Sequence, residues 1–212
     1  MTLDFDLLKE RLKHNLPGSA AHTLLRAIPT GLVRPKFEHK SPPRPGSVLI
    51  LLYPDHDQIR FPLTQRQDYP GAHGGQVSLP GGKAEPGEDY LTTALREAQE
   101  EIGVNKDDLT VIGRLTDFFV VPSNYLITPV VAVTQTKPIF RPDPVEVARI
   151  LEGNLDDLLK SDAIQTKEIV AAKIYPMIAP HFEIEGEVVW GATAMMLNEL
   201  RMVLQELQST SK

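Results

Sequence analysis

The chain is 212 residues long with a formal net charge of −6, and 42% of it is apolar and 24% charged. Those proportions suit one folded domain of ordinary size, or one domain with an extension, and argue against disorder. The acidic balance excludes a broad basic surface for duplex nucleic acid, and the absence of cysteine excludes disulfides, thiolate catalysis and cysteine-held zinc.

In chain order, Leu3, Phe5, Leu7, Leu8 and Leu12 recur at helical spacing over residues 3–16, among charged neighbours. This segment lacks the uncharged core of a signal peptide, and no window approaches the roughly 18 apolar residues of a membrane span. A protein of the cytoplasm is expected. A second short helix is predicted over 20–28, stopped by Pro29. Residues 29–46 hold five prolines and read as a connector. The run SVLILLY at 47–53 predicts a strand, the turn residues 54–57 follow, and a partner strand is predicted over 59–64. After a polar loop over 67–75 comes a short strand at 76–79, then a helix over 89–102 ended by Gly103. Further strands are predicted over 109–120 and 126–133, a short helix over 155–159, and two short strands around Ile174 and Val188. An amphipathic helix over 191–207 closes the chain. The interspersed strands and helices predict an α/β fold with a mixed sheet. The division is a helical extension (1–30), a proline-rich connector (31–46) and a core (47–210), all one domain over 1–212.

The chemistry concentrates in residues 81–104, GGKAEPGEDYLTTALREAQEEIGV. Glu97, Glu100 and Glu101 stand at i, i+3 and i+4, so a helix projects all three carboxylates from one face, where they repel. Leu91, Ala94, Leu95, Ala98 and Ile102 form the opposite, apolar side. Arg96 is placed to pair with Glu88 or Glu100. Upstream, Gly81 and Gly82 let backbone groups approach a metal or a phosphate. Hard oxygen donors of this kind suit Mg²⁺ or Mn²⁺.

Gly82, then Glu88 after five residues, then after seven more Arg96-Glu97-Ala98-Gln99-Glu100-Glu101-Ile102-Gly103-Val104, agrees with every fixed position of the Nudix box. The chain thus resembles the Nudix hydrolases. The resemblance implies the Nudix fold, an α/β/α sandwich with a mixed sheet and a loop–helix–loop, and a divalent cation, Mg²⁺ or Mn²⁺, bound at the box. It implies Glu97 and Glu101 as metal ligands, Glu100 as a further ligand or the residue that positions a water, and Glu88 and Arg96 as the brace of loop and helix. The backbone at Gly81 and Gly82 would face the diphosphate. Glu146, well after the box, is the candidate general base.

The segment before the box resembles the signature of the coenzyme A pyrophosphatase branch. Leu63, Thr64, Arg66, His73, Gly75, Gln76, Val77, Ser78, Pro80, Gly81 and Gly82 agree with it, whereas Gln67, Gly71 and Leu79 stand where the branch has serine, arginine and phenylalanine. The resemblance implies cleavage of coenzyme A or a derivative to adenosine 3',5'-bisphosphate and 4'-phosphopantetheine. Arg66, His73 and Gln76 would lie at the substrate, and Arg60, Lys83 or Arg141 would compensate for the absent arginine. Trp190 reads as a core residue. Two rivals share the box: a pyrophosphatase for ADP-ribose or another nucleoside diphosphate conjugate, and a non-catalytic nucleotide-binding module. The expected partner is a small nucleoside diphosphate, with neither nucleic acid nor membrane; a homodimer is compatible with the helical N-terminus.

Overall fold

The computed structural model describes residues 3–31, 36–68 and 74–210. Gly71 and His73 lie outside the described residues. Two short helices, α1 (Phe5–Arg11) and α2 (Ser19–Leu24), precede the two-residue strand β1 (Ile28–Pro29). Strands β2 (Arg44–Asp55), β3 (Gln58–Arg66), β4 (Val77–Ser78) and β5 (Gly81–Lys83) lead into helix α3 (Tyr90–Ile102). After it come β6 (Thr110–Arg114), β7 (Phe118–Val120), β8 (Tyr125–Val133) and β9 (Val147–Asn154). The short helix α4 (Leu155–Leu159) precedes β10 (Gln165–Ala171), β11 (Tyr175–Ile184) and β12 (Glu187–Trp190), and the long helix α5 (Gly191–Thr210) closes the chain.

The apolar run at 47–53 is continuous because β2 is buried on both faces. Val48, Ile50 and Leu52 enter one hydrophobic cluster, and Leu49, Leu51 and Tyr53 enter another. Each such side chain contributes roughly 1.5–3 kcal/mol by burial. β2 runs parallel to β8, from Arg44 opposite Tyr125 to Leu52 opposite Val133. The other pairings in this large sheet are antiparallel: its order is β4-β3-β2-β8-β6, with β5 on β2, β7 on β8 and β9 on β3. Helix α3 covers one face through Ala94, Ala98 and Ile102. Helix α5 covers the other through Leu197, Leu200, Val203 and Leu204, together with Leu8 of α1 and Leu155 and Leu158 of α4. This is the expected α/β/α sandwich. The N-terminal helices share its core: Leu12 presses on Gly113, where an added Cβ would meet the Leu12 Cβ at 2.8 Å. Among the described residues no helix is long and apolar enough to cross a membrane.

Several expectations need correction. The first two helices are shorter than predicted, and Ile28, placed at a helix end, instead pairs with Ile178 of β11. The strand predicted over 109–120 is broken into β6 and β7. Thr116 turns aside there to give its N–H (3.2 Å) and its hydroxyl (2.6 Å) to Glu199 of α5. Ile174 is not the centre of a strand; it sits at the turn between β10 and β11, after two left-handed residues, Ala172 and Lys173. β9 and β10 have no counterpart among the elements predicted from the sequence. β10, β11, β12 and β1 form a second, antiparallel sheet beside the sandwich.

Candidate active site

Helix α3 is started by Asp89, whose carboxylate accepts the Thr92 N–H at 2.8 Å, and ended by Gly103 at φ 71°. Arg96 joins this helix to the loop before it. Its Nε and Nη2 grip the two oxygens of Glu88 at 2.7 and 3.0 Å, and Nη2 also donates to the Lys83 carbonyl at 3.1 Å. Its Nη1 donates to Glu97 at 3.0 Å and Glu100 at 2.9 Å. Glu88 accepts the Glu85 N–H and the Thr93 hydroxyl as well. The Arg96 guanidinium, helped by the Glu85 N–H, holds the Glu88 carboxyl down at about 2. The two-pronged grip is geometry that only arginine supplies. Glu88 and Arg96 therefore brace the loop against the helix.

Glu101 is differently placed. It is 5% exposed and accepts the Gly81 N–H at 3.0 Å. Burial, opposed by that hydrogen bond and by nearby Arg66, and reinforced by Glu97 and Glu146, pushes its carboxyl up to about 7. Glu97, one turn earlier, is also pushed up, chiefly by burial and against the pull of Arg96, with Glu100 and Glu146 adding repulsion. The glycines make this arrangement sterically accessible. A Cβ on Gly82 would fall 2.6 Å from the Glu97 carboxylate, and one on Gly81 would fall 2.3 Å from the Ser47 carbonyl oxygen.

A loop completes the surroundings. The Arg141 N–H donates to the Ile102 carbonyl at 2.8 Å and the Asp143 N–H to the Glu101 carbonyl at 3.0 Å, so residues 141–147 lie along the end of α3. That brings Glu146 within electrostatic reach of Glu97 and Glu101. Gln67 clamps the same loop: its N–H donates to the Glu146 carbonyl at 3.1 Å and its side-chain amide to the Pro144 carbonyl at 3.0 Å. The sequence marks Gln67 only as a departure from the branch pattern; its position directly after Arg66, at the end of β3, is the available signal. The Gln76 carbonyl accepts the Arg66 N–H at 3.0 Å, tying the end of β3 to the segment before the box.

Glu100 stands apart, with 60% of its side chain exposed and its carboxylate on Arg96. Among the described residues no three acidic or histidine side chains converge closely enough to cage a cation by themselves. His73 lies outside the described residues. Arg60 is turned away from the site, tied to Asp55 and Gln58 at the β2–β3 hairpin.

The residues nevertheless fit a divalent cation. Two withdrawn carboxylates, Glu97 and Glu101, repel one another, and Gly82 has no side chain to stand between the Glu97 carboxylate and the backbone. Oxygen-only donors are those Mg²⁺ or Mn²⁺ prefer, with water and substrate phosphate completing the shell.

A family model described as the NUDIX domain matches residues 43–180. The chain is 33% identical over 139 residues to the uncharacterised Nudix hydrolase NudL of Yersinia pestis strain Pestoides F, covering 65% of this chain and 69% of that protein. The same figures hold for NudL of Yersinia pseudotuberculosis serotype O:1b. Among solved structures, a Nudix hydrolase from M. smegmatis, RenU, shares the fold with a TM-score of 0.53 at 17% identity, over 80% of this chain and 88% of that one. The matched span holds both the braced loop and the withdrawn glutamates of α3, and the chain belongs to the Nudix family, as a hydrolase acting on a diphosphate.

Proposed function

We propose that the substrate is coenzyme A or a derivative, cleaved with Mg²⁺ or Mn²⁺ to adenosine 3',5'-bisphosphate and 4'-phosphopantetheine. The observation that carries this reading is where the branch-like segment lies. Arg66 acts electrostatically on Glu101, Gln76 is bonded to the Arg66 backbone, and Gly81 donates to Glu101. Residues shared with the branch thus gather at the box glutamates.

In this reading Glu97 and Glu101 hold the cations, with Glu100 as a further ligand or an anchor for water. Bound there, a divalent cation neutralises the diphosphate and lowers the pKa of water. The chain supplies the rest. Glu146 takes the proton of the attacking water, the water oxygen bonds to one phosphorus, and the bridging oxygen leaves with the other phosphate. Arg66 offsets charge on the diphosphate. The backbone of Gly81 and Gly82 orients it, Gln76 lies on the substrate side, and the branch resemblance assigns His73 to substrate binding.

The test is product analysis. The protein is incubated with Mg²⁺ or Mn²⁺ and a panel of coenzyme A, acetyl-coenzyme A, ADP-ribose, NADH, a diadenosine polyphosphate and a deoxynucleoside triphosphate. Fastest release of adenosine 3',5'-bisphosphate from coenzyme A is the expected result. Preference for ADP-ribose would overturn the substrate and make Gly71, where the branch has arginine, the better guide.

A further inference from the structure

Beside the sandwich, the second sheet and the segment 74–77 enclose an open cleft of about 430 Å³, a size suited to a nucleotide. The register explains what faces it. Lys167 is paired with Ala179, and His181 is paired with Trp190, so these residues share one side of the sheet with Ile169 and Val188. Half-buried Ile169, Val188 and Trp190 give the cleft an apolar wall, and exposed Lys167 and Lys173 stand at its mouth. Lys173 and Ala172 hold the turn at φ 62° and 49°, where glycine or asparagine would be easier. Glu187 is also in the wall, but it is paired with Arg149 at 3.1 Å. Among the described residues Lys167 and Lys173 have no ion-pair partner, in a chain whose net charge is −6.

The cleft adjoins the glutamates. Gly75 and Gln76 are bonded to Gln67 and Arg66 of the β3 end, and Gln67 is bonded to the Glu146 backbone. Two strand spacings, roughly 10 Å, therefore separate the cleft wall from the Glu146 loop.

We propose that this cleft takes the nucleotide end of the substrate, with Trp190 against the base and Lys167 and Lys173 on a phosphate beyond the scissile diphosphate. The proposal rests on the coenzyme A reading, because only that end of coenzyme A offers both an aromatic base and an extra phosphate. It assigns to two lysines the charge that the branch's arginine would supply at position 71, where this chain has glycine.

Trp190 is the chain's single tryptophan, so its emission reports on the cleft directly. Adenosine 3',5'-bisphosphate and AMP are titrated, with EDTA present, into the wild-type protein and the double variant Lys167→Gln/Lys173→Gln. Binding is followed by calorimetry and by Trp190 emission. Both lysines are exposed, so the variant keeps its fold. The wild type is expected to prefer the bisphosphate by roughly 10- to 100-fold, as charge-assisted hydrogen bonds allow. Trp190 emission changes on binding, and the preference falls to near one in the double variant. A wild-type preference near one, a preference unchanged in the variant, or binding with unaltered Trp190 emission would each overturn the proposal. Coenzyme A left uncleaved beside a lysine-dependent preference would overturn the substrate reading alone. Coenzyme A cleaved with no such preference would overturn the cleft alone.

Discussion

Glu101 on α3 and Glu199 on α5 are both withdrawn from water, at 5% and 0% exposure, yet their surroundings differ. Burial raises both, but Glu199 is surrounded by donors. It accepts the Gly18 N–H at 3.1 Å, the Thr116 N–H and hydroxyl, and pairs with His22 at 2.9 Å. His22 and Thr116 more than offset burial and hold its carboxyl below the usual range. Glu101 has one backbone N–H and distant help from Arg66, set against Glu97 and Glu146, and its carboxyl rises to about 7. The first acid is satisfied by the fold and fastens the N-terminal helices to it. The second is left short of positive charge, which is the condition that makes a site for a cation.

The largest effect is expected from Glu101→Gln. Loss of the carboxylate proposed to hold the cation should lower turnover at saturating Mg²⁺ by roughly 10³-fold, about 4 kcal/mol of barrier. Thermal unfolding of the metal-free variant should show no loss of stability, since an uncompensated charge is removed. Glu199→Ala should behave in the opposite sense. It leaves buried donors at Gly18 and Thr116 unpaired and should cost about 3 kcal/mol or more, measured by urea unfolding, while the folded fraction keeps its kcat.

The two acids also predict opposite responses to pH. For Glu101 the folded value, about 7, lies above the unfolded value of 4.5. Without metal, stability should therefore fall as pH rises from about 4.5 through 7, by about 3 kcal/mol at most. Glu101→Gln removes that slope. Glu199 is shifted down, so its contribution is present above the unfolded pKa and is lost as the solution is made more acidic. Unfolding midpoints between pH 4 and 8 in EDTA, for the wild type and both variants, check the signs. A smaller effect should come from Gly82→Ala. Its Cβ displaces only the flexible end of Glu97, so turnover should drop roughly tenfold while stability changes by less than about 1 kcal/mol.

The α3 half of this comparison was legible in the sequence because its determinants are local. Glu88, Arg96, Glu97, Glu101 and Gly103 fall within one loop and one helix, and their spacing alone sets their faces. The Glu199 half was not. Its partners are Gly18, His22 and Thr116, from 83 to 181 positions away, and residues 191–207 read simply as an amphipathic helix. The same reason hid Gln67, which acts through a loop 77 positions on. β9 and β10 escaped because VARILEGN and QTKEIVA carry charges on faces left open to solvent, which blurs the alternation. The turn after β10 is not legible in the sequence because Ala172 and Lys173 take left-handed conformations that composition does not announce.

The charge shortfall at Glu97 and Glu101 is proposed to be the cation site. Titration of Mn²⁺ into the metal-free protein, followed by calorimetry, tests it directly across wild type, Glu97→Gln, Glu101→Gln and Glu199→Gln. Both α3 variants are expected to lose at least roughly tenfold in Mn²⁺ affinity while Glu199→Gln keeps the wild-type value. Unchanged affinity in Glu97→Gln and Glu101→Gln would contradict it.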